Sequence, residues 1–176
     1  MLPSHMKVLL MIFFIVSQLF AFSNINIRKQ ILFFSKFDKF LTWTKEQQEK
    51  KRFVIGLLGY VSFADRLEEY YAERKISARP VSVRKITSLD EIQKCHIVFI
   101  SESQYTLEDV LDAAKGKGVL LISHKDGWGE KGVHLNYYTQ GGNLKFELNP
   151  YTSKRDGIHF KTVLLRAMKT VGKIVQ

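Results

Sequence analysis

Cysteine is almost missing: Cys95 stands alone in 176 residues. A lone thiol closes no internal disulfide, so packing alone must hold the fold. Cys95 precedes an apolar run, which reads as a buried, inert thiol. The other reading is a reactive or intermolecularly bridged thiol. Acidic residues are few, 17 Asp and Glu against 27 Lys and Arg, for a formal net charge of +10. The basic residues are scattered and form no stripe of the kind that tracks nucleic acid. They suit a soluble basic surface, or attraction to an acidic protein or an anionic membrane. No nucleic-acid partner is expected.

Several chemical signatures are also missing. Gly56-Leu57-Leu58-Gly59 follows a strand but lacks the three spaced glycines of a dinucleotide site. No P-loop lysine motif occurs. A phospho-receiver needs acidic residues where Gly59 and Ser101 stand. The five histidines do not pair at ligand spacing, and no cysteine completes a zinc set with His124 or His134. Neither a metal nor a cofactor is expected. There is no internal repeat, no low-complexity segment and no sign of a second domain. Even the most apolar stretch, Val8–Phe22, is interrupted by Ser17 and Gln18 and is shorter than the ~20 residues of a membrane span. With Lys7 before it and Ala21-Phe22-Ser23 after it, it reads as a signal peptide cleaved after Ser23, with Met6 as an alternative start. An uncleaved anchor is the other reading. The expected domains are thus a leader over 1–23 and one folded unit over 24–176.

What is present is a set of short apolar runs. His96-Ile97-Val98-Phe99-Ile100-Ser101 is rich in β-branched residues and ends in small polar ones. Phe53–Gly59 and Gly118–Ser123 have the same character. Each reads as a strand buried on both faces, and helical patterns separate them. The expected fold is a single-domain three-layer α/β sandwich with a mainly parallel sheet. Val133–Thr139 and Asn143–Leu148, joined by Gln140-Gly141-Gly142, read as a C-terminal antiparallel hairpin. Pro80–Ile86 alternates like an edge strand.

Helices are expected over the amphipathic stretch 27–43, from Ala64 to Arg74, from Leu89 to Lys94, after Thr106, and from Pro150 with Asn149 as its cap. Ser62, Ser88 and Thr106 each open a capping-box pattern, and Ser103 reads as a capping residue. Thr44–Arg52 reads as a charged connection. The tail carries Ile158, Leu164, Leu165, Met168, Val171 and Ile174 on one helical face.

In parallel sheets of this kind ligands sit beyond the carboxyl ends of the strands. The candidate surface is therefore Gly59-Tyr60, Ser101-Glu102-Ser103 and Ser123-His124. The glycine-rich loop Asp126–Gly132 extends it. Glycines at 127, 129 and 132 suggest backbone freedom, and a large aromatic among them suggests a contact. The candidate binding residues are Tyr60, Ser101, Ser103, His124, Asp126 and Trp128. Two readings of Trp128 stay open: a recognition contact, or a plug folded over the sheet edge. An enzyme is the rival class, with Ser101, His124 and Glu147 converging. Against it, no Gly-x-Ser-x-Gly turn surrounds Ser101, and Glu147 reads as a surface carboxylate in an alternating strand.

Taken together, Phe53–Gly59, Ile86–Glu91, Cys95–Ser101, Val119–Ser123, Gly132–Asn136, Lys145–Asn149 and Leu164–Ala167 resemble the YfiR-like family of periplasmic regulatory domains. Phe37–Trp43 fits that family's first helix. The likeness covers roughly residues 27 to 170. It implies an exported, non-enzymatic protein that restrains a membrane-bound diguanylate cyclase by binding its periplasmic part. It also implies an outer-membrane lipoprotein that relieves the restraint. Related domains serve as sensory inputs to membrane kinases, so a small-ligand sensor is the second reading; self-association into a homodimer is left open. The chain departs from the pattern at His124-Lys125-Asp126 and Trp128, where the family usually has Ser-Asp and Phe. Its single cysteine cannot make the disulfides some members carry.

Overall fold

A computed structural model describes residues 31, 34, 38–59, 61–140 and 143–175. The expected leader and Tyr60 lie outside the described residues. The chain divides into two compact units, 1–36 and 37–176. In the first, Ile31 and Phe34 are helical. The second carries both sheets.

The elements run in order as β1 (Leu41–Thr42), α1 (Lys45–Glu49), β2 (Phe53–Leu58), α2 (Ala64–Tyr71), β3 (Lys75–Ile76) and β4 (Arg79–Ile86). A 3-10 helix (Leu89–Lys94), β5 (Ile97–Ile100), α3 (Leu107–Ala114) and β6 (Leu120–Ser123) come next. The chain finishes with β7 (Leu135–Gln140), β8 (Asn143–Leu148), α4 (Pro150–Arg155), β9 (His159–Phe160), α5 (Thr162–Val171) and β10 (Gly172–Ile174).

Eight strands form one sheet in the order β10-β8-β7-β6-β5-β2-β4-β3. The neighbours from β4 to β7 run parallel, β7 and β8 form the antiparallel hairpin, and β10 returns parallel to β8. A mainly parallel α/β sheet with that hairpin is what the apolar runs implied. β1 pairs antiparallel with β9 in a small second sheet.

The register explains why those runs are apolar throughout. Ile55, Ile97 and Leu120 align on one face, and Gly56, Val98 and Leu121 on the other. All five branched side chains are buried, each stabilising by about 1.5–3 kcal/mol relative to exposure. The second face packs Val98, Ile100 and Leu121 against Val110 and Ala114 of α3 and Ile92 of the 3-10 helix. On the first face Phe63, just before α2, meets Phe99 edge-on at 5.2 Å. Helical segments thus cover both sides of the central strands.

Several local expectations change. Ser62 caps nothing: Phe63 is the N-cap of α2, which ends at Tyr71 rather than Arg74. The helix expected to reach Trp43 gives way after Phe40 to β1. Thr44–Arg52 is not a plain connection, because Thr44 accepts from the Gln47 amide and starts α1. The tail is not one helix: β9 precedes α5 and β10 ends it. The boxes at Ser88 and Thr106 and the Asn149–Pro150 start all form.

Candidate functional site

Chain order reverses between β2 and β5, so the crevice such sheets use would lie between Gly59 and Ser101. It is closed. A Cβ on Gly59 would collide with the Glu102 carbonyl oxygen. Gly59 also has φ +86, so only glycine lets the β5–α3 loop lie this close. The open space is one strand further on. A cleft of about 200 Å³ lies between the start of α3 and the glycine-rich loop. Ile100, Leu107 and Val110 give it apolar lining, Ser101, Glu102, Ser103 and Thr106 polar lining, and Tyr105, Lys125 and Trp128 complete it.

Short-range chemistry sets the walls. Thr106 and Asp109 cap α3 reciprocally. Ser103 caps no helix; its Oγ accepts from the Tyr105 amide at 3.3 Å in a local turn. The Tyr105 hydroxyl donates to the Thr87 carbonyl at 2.9 Å. Ser101 is only 8% exposed, and its amide donates to the Leu58 carbonyl at 2.9 Å. Lys125 holds its Nζ 4.9 Å from the centre of the Trp128 ring and 3.6 Å from Glu102 Oε1. The first is a cation–π contact; the second is exposed on the glutamate side and weak.

The glycine-rich loop is bonded rather than free. The Gly132 amide donates to Gly129, and the Val133 amide to Trp128. Gly129 donates its amide to Glu147 Oε2 at 3.0 Å, and a Cβ there would lie 2.6 Å from the Glu147 Cβ. Gly127 and Gly132 have positive φ. Gly129 therefore lets the loop close on a carboxylate, while Gly127 and Gly132 supply the positive-φ turns on either side of it. Glu147 itself is 1% exposed; Asn136 donates to it at 2.8 Å, and Lys173 Nζ lies 3.6 Å away. It is a buried brace for the loop, where the alternating strand suggested a surface group. Its bonds go to Gly129, Asn136 and Lys173, none to His124 or Ser101.

His124 is exposed at the carboxyl end of β6 and stacks on Phe99, centroids 5.4 Å apart and planes within 7°. Desolvation against that ring, then the Lys125 charge, holds its pKa below the ordinary imidazole value. Asp126 is exposed. Trp128 is half-buried and packs on the Val110 side of the core, with part of its ring on the cleft wall. Ser101, Ser103 and Trp128 line the cleft; His124 and Asp126 lie outside its lining.

Four other buried titratable groups, His96, His134, Asp156 and Cys95, lie toward the opposite edge. His96 accepts the Val54 amide on Nδ1 at 3.1 Å, so its Nε2 carries the proton and donates to Gln47 at 2.9 Å. Burial outweighs that bond, and with Arg79 nearby its pKa falls to about 4. His134 repeats the arrangement, taking the Leu121 amide on Nδ1 and meeting Asp156 at 2.9 Å through Nε2. Burial would raise the Asp156 carboxyl, but bonds to His134 and Arg155 hold it at about 2. Burial pushes the Cys95 thiol up to about 11, so it stays protonated, as the inert reading expected. Among the described residues no cluster of His, Cys, Asp or Glu could hold a metal.

The sequence reading put Glu102 on the candidate surface but named neither Tyr105 nor Lys125, which also line the cleft. The signal was adjacency: Lys125 lies between two candidates, and Tyr105 directly precedes the Thr106 cap.

A crystal structure of the ABC domain in complex with L-Trp from Streptococcus pneumonia is similar at 14% identity and a TM-score of 0.48, covering 70% of this chain and 55% of that chain. This chain thus spans little more than half of that one. No curated protein matches. The YfiR/HmsC-like family model matches residues 28–167. No helix among the described residues is long and apolar enough to cross a membrane. The chain belongs to the YfiR/HmsC-like family, a periplasmic, regulatory and non-catalytic family that acts on diguanylate cyclase signalling with an inner-membrane partner.

Proposed function

We propose that this chain is exported, cleaved after Ser23, and binds the periplasmic part of an inner-membrane signalling protein, a diguanylate cyclase, to restrain it without catalysing a reaction. The observation that carries this reading is the family match across 28–167. The engagement of the buried groups supports it. Glu147, His134 and Asp156 are held by structural bonds, so none of the three is free to serve Ser101 as a base. The contact surface is the carboxyl edge, with Ser103, His124, Asp126 and the exposed side of Trp128. Asp126 and His124 are open to a partner, and a half-buried Trp is a frequent anchor. An outer-membrane lipoprotein that competes for this chain would lift the restraint.

Deleting the gene should raise intracellular cyclic di-GMP, and restoring it should lower the level again. Residues 6–23 fused to a reporter active only outside the cytoplasm should give activity. Unchanged cyclic di-GMP would remove the restraint; a cytoplasmic, uncleaved product would remove the compartment.

A further inference from the structure

We propose that the cleft between the start of α3 and the glycine-rich loop binds a small carboxylate with an apolar body. The size comes first. At about 200 Å³ it exceeds the ~150 Å³ cavity that holds a benzene ring, leaving room for one small substituent. Ile100, Leu107, Val110 and the Trp128 ring supply the apolar lining such a body needs.

The polar groups then select the substituent. The Ser101 side chain lines the cleft, is 8% exposed, and has no hydrogen-bond partner among the described residues. Its Oγ is not sealed in the core and, on the cleft wall, can donate to a ligand acceptor. Lys125 supplies the cation, its side chain 33% exposed and steadied over Trp128. Its carboxylate partner, Glu102, is 84% exposed and can turn to solvent at little cost. A ligand carboxylate between Lys125 and Ser101 gains a charge-assisted and a neutral hydrogen bond.

Nearby acids limit the ligand to one negative charge. Glu102 lies at the rim, and Glu108 and Asp109 occupy the first turn of α3. The Asp109 carboxylate is taken up by the Thr106 amide and hydroxyl. With the Glu102 carboxylate in the lining and two more in the first turn of α3, a phosphate or dicarboxylate is disfavoured relative to a single negative charge. The walls are set in advance by Tyr105 on Thr87 and by Glu102 against Gly59, which lowers the ordering cost of binding.

The inference does not depend on the cyclase reading, because binding is measured on the purified protein alone. The probe is benzoate, followed by the indole N–H signals of the two tryptophans in nitrogen-15 correlation spectra. Trp43 is the internal control, since its Nε1 donates to Asp38 at 2.8 Å at the far edge. Benzoate should shift the Trp128 signal saturably and leave Trp43 in place. Benzamide and phenylphosphonate should bind about tenfold more weakly. Lys125→Gln should weaken benzoate about tenfold, Lys125→Arg should retain it, and neither should change the melting temperature. Ser101→Ala should weaken it several-fold. No saturable shift, equal shifts at both tryptophans, equal binding of benzamide, or undiminished binding by Lys125→Gln would each overturn the proposal.

Discussion

At the amino ends of the strands, His96 is held by Val54 and Gln47, and Asp156 by His134 and Arg155. At the carboxyl ends, the Ser101 hydroxyl has no partner among the described residues, Lys125 leans on an exposed glutamate, and exposed His124 stacks on Phe99. Both edges carry imidazole, carboxylate and cation. One set is closed on itself and fixes the sheet; the other keeps capacity for something outside the chain. Titratable residues therefore point to recognition only where their bonds are unfinished.

Breaking the amino edge should cost most. Asp156→Ala removes the partner of buried His134 and of Arg155, and unfolding in urea should show a loss of about 3–5 kcal/mol. A loss under ~1 kcal/mol would erase the contrast between the edges. Next is pH. His96 titrates at about 4 in the fold and near 6.5 when unfolded. The unfolded chain takes the proton more readily, so stability is full above pH 6.5 and falls between 6.5 and 4. The fall attributable to this residue is roughly 3 kcal/mol. Urea midpoints across that range should show a shallower decline in His96→Gln, with the remainder carried by His134, whose pKa burial also lowers. Trp128→Ala comes third. Its half-burial should reduce the ~3–5 kcal/mol of a fully buried Trp to about 2 kcal/mol, and a change near zero would make the ring a pure contact. Lys125→Gln comes last, within ~0.5 kcal/mol of the parent; a larger loss would move Lys125 into the structural set.

The central sheet was legible because burial on both faces leaves an unbroken apolar run, as in Ile97–Ile100 and Leu120–Ser123. Caps closed by local bonds, at Ser88, Thr106 and Asn149, were legible for the same reason: their partners lie three residues away. What could not be read depends on distant chain. Lys45–Glu49 looked like solvated charge because Gln47 finds its partners at Cys95 and Lys117. Glu147 looked exposed because Gly129, which buries it, is 18 positions away. β10 follows α5 without a break, and only its pairing with Phe146–Leu148 makes Gly172–Ile174 a strand. The choice of the carboxyl edge as candidate surface followed from fold class, but the cleft did not. Its position is set by Glu102 lying on Gly59, a contact between two loops.

The claim that the carboxyl edge meets the membrane partner is tested most directly by photo-crosslinking in intact cells. A photoreactive residue is placed at exposed Asp126 or Ser103 on that edge, and at exposed Lys51 or Lys117 toward the amino ends of the strands. The account predicts a crosslink to an inner-membrane signalling protein from Asp126 and Ser103 and none from Lys51 or Lys117. Crosslinks from Lys51 or Lys117 alone would contradict it.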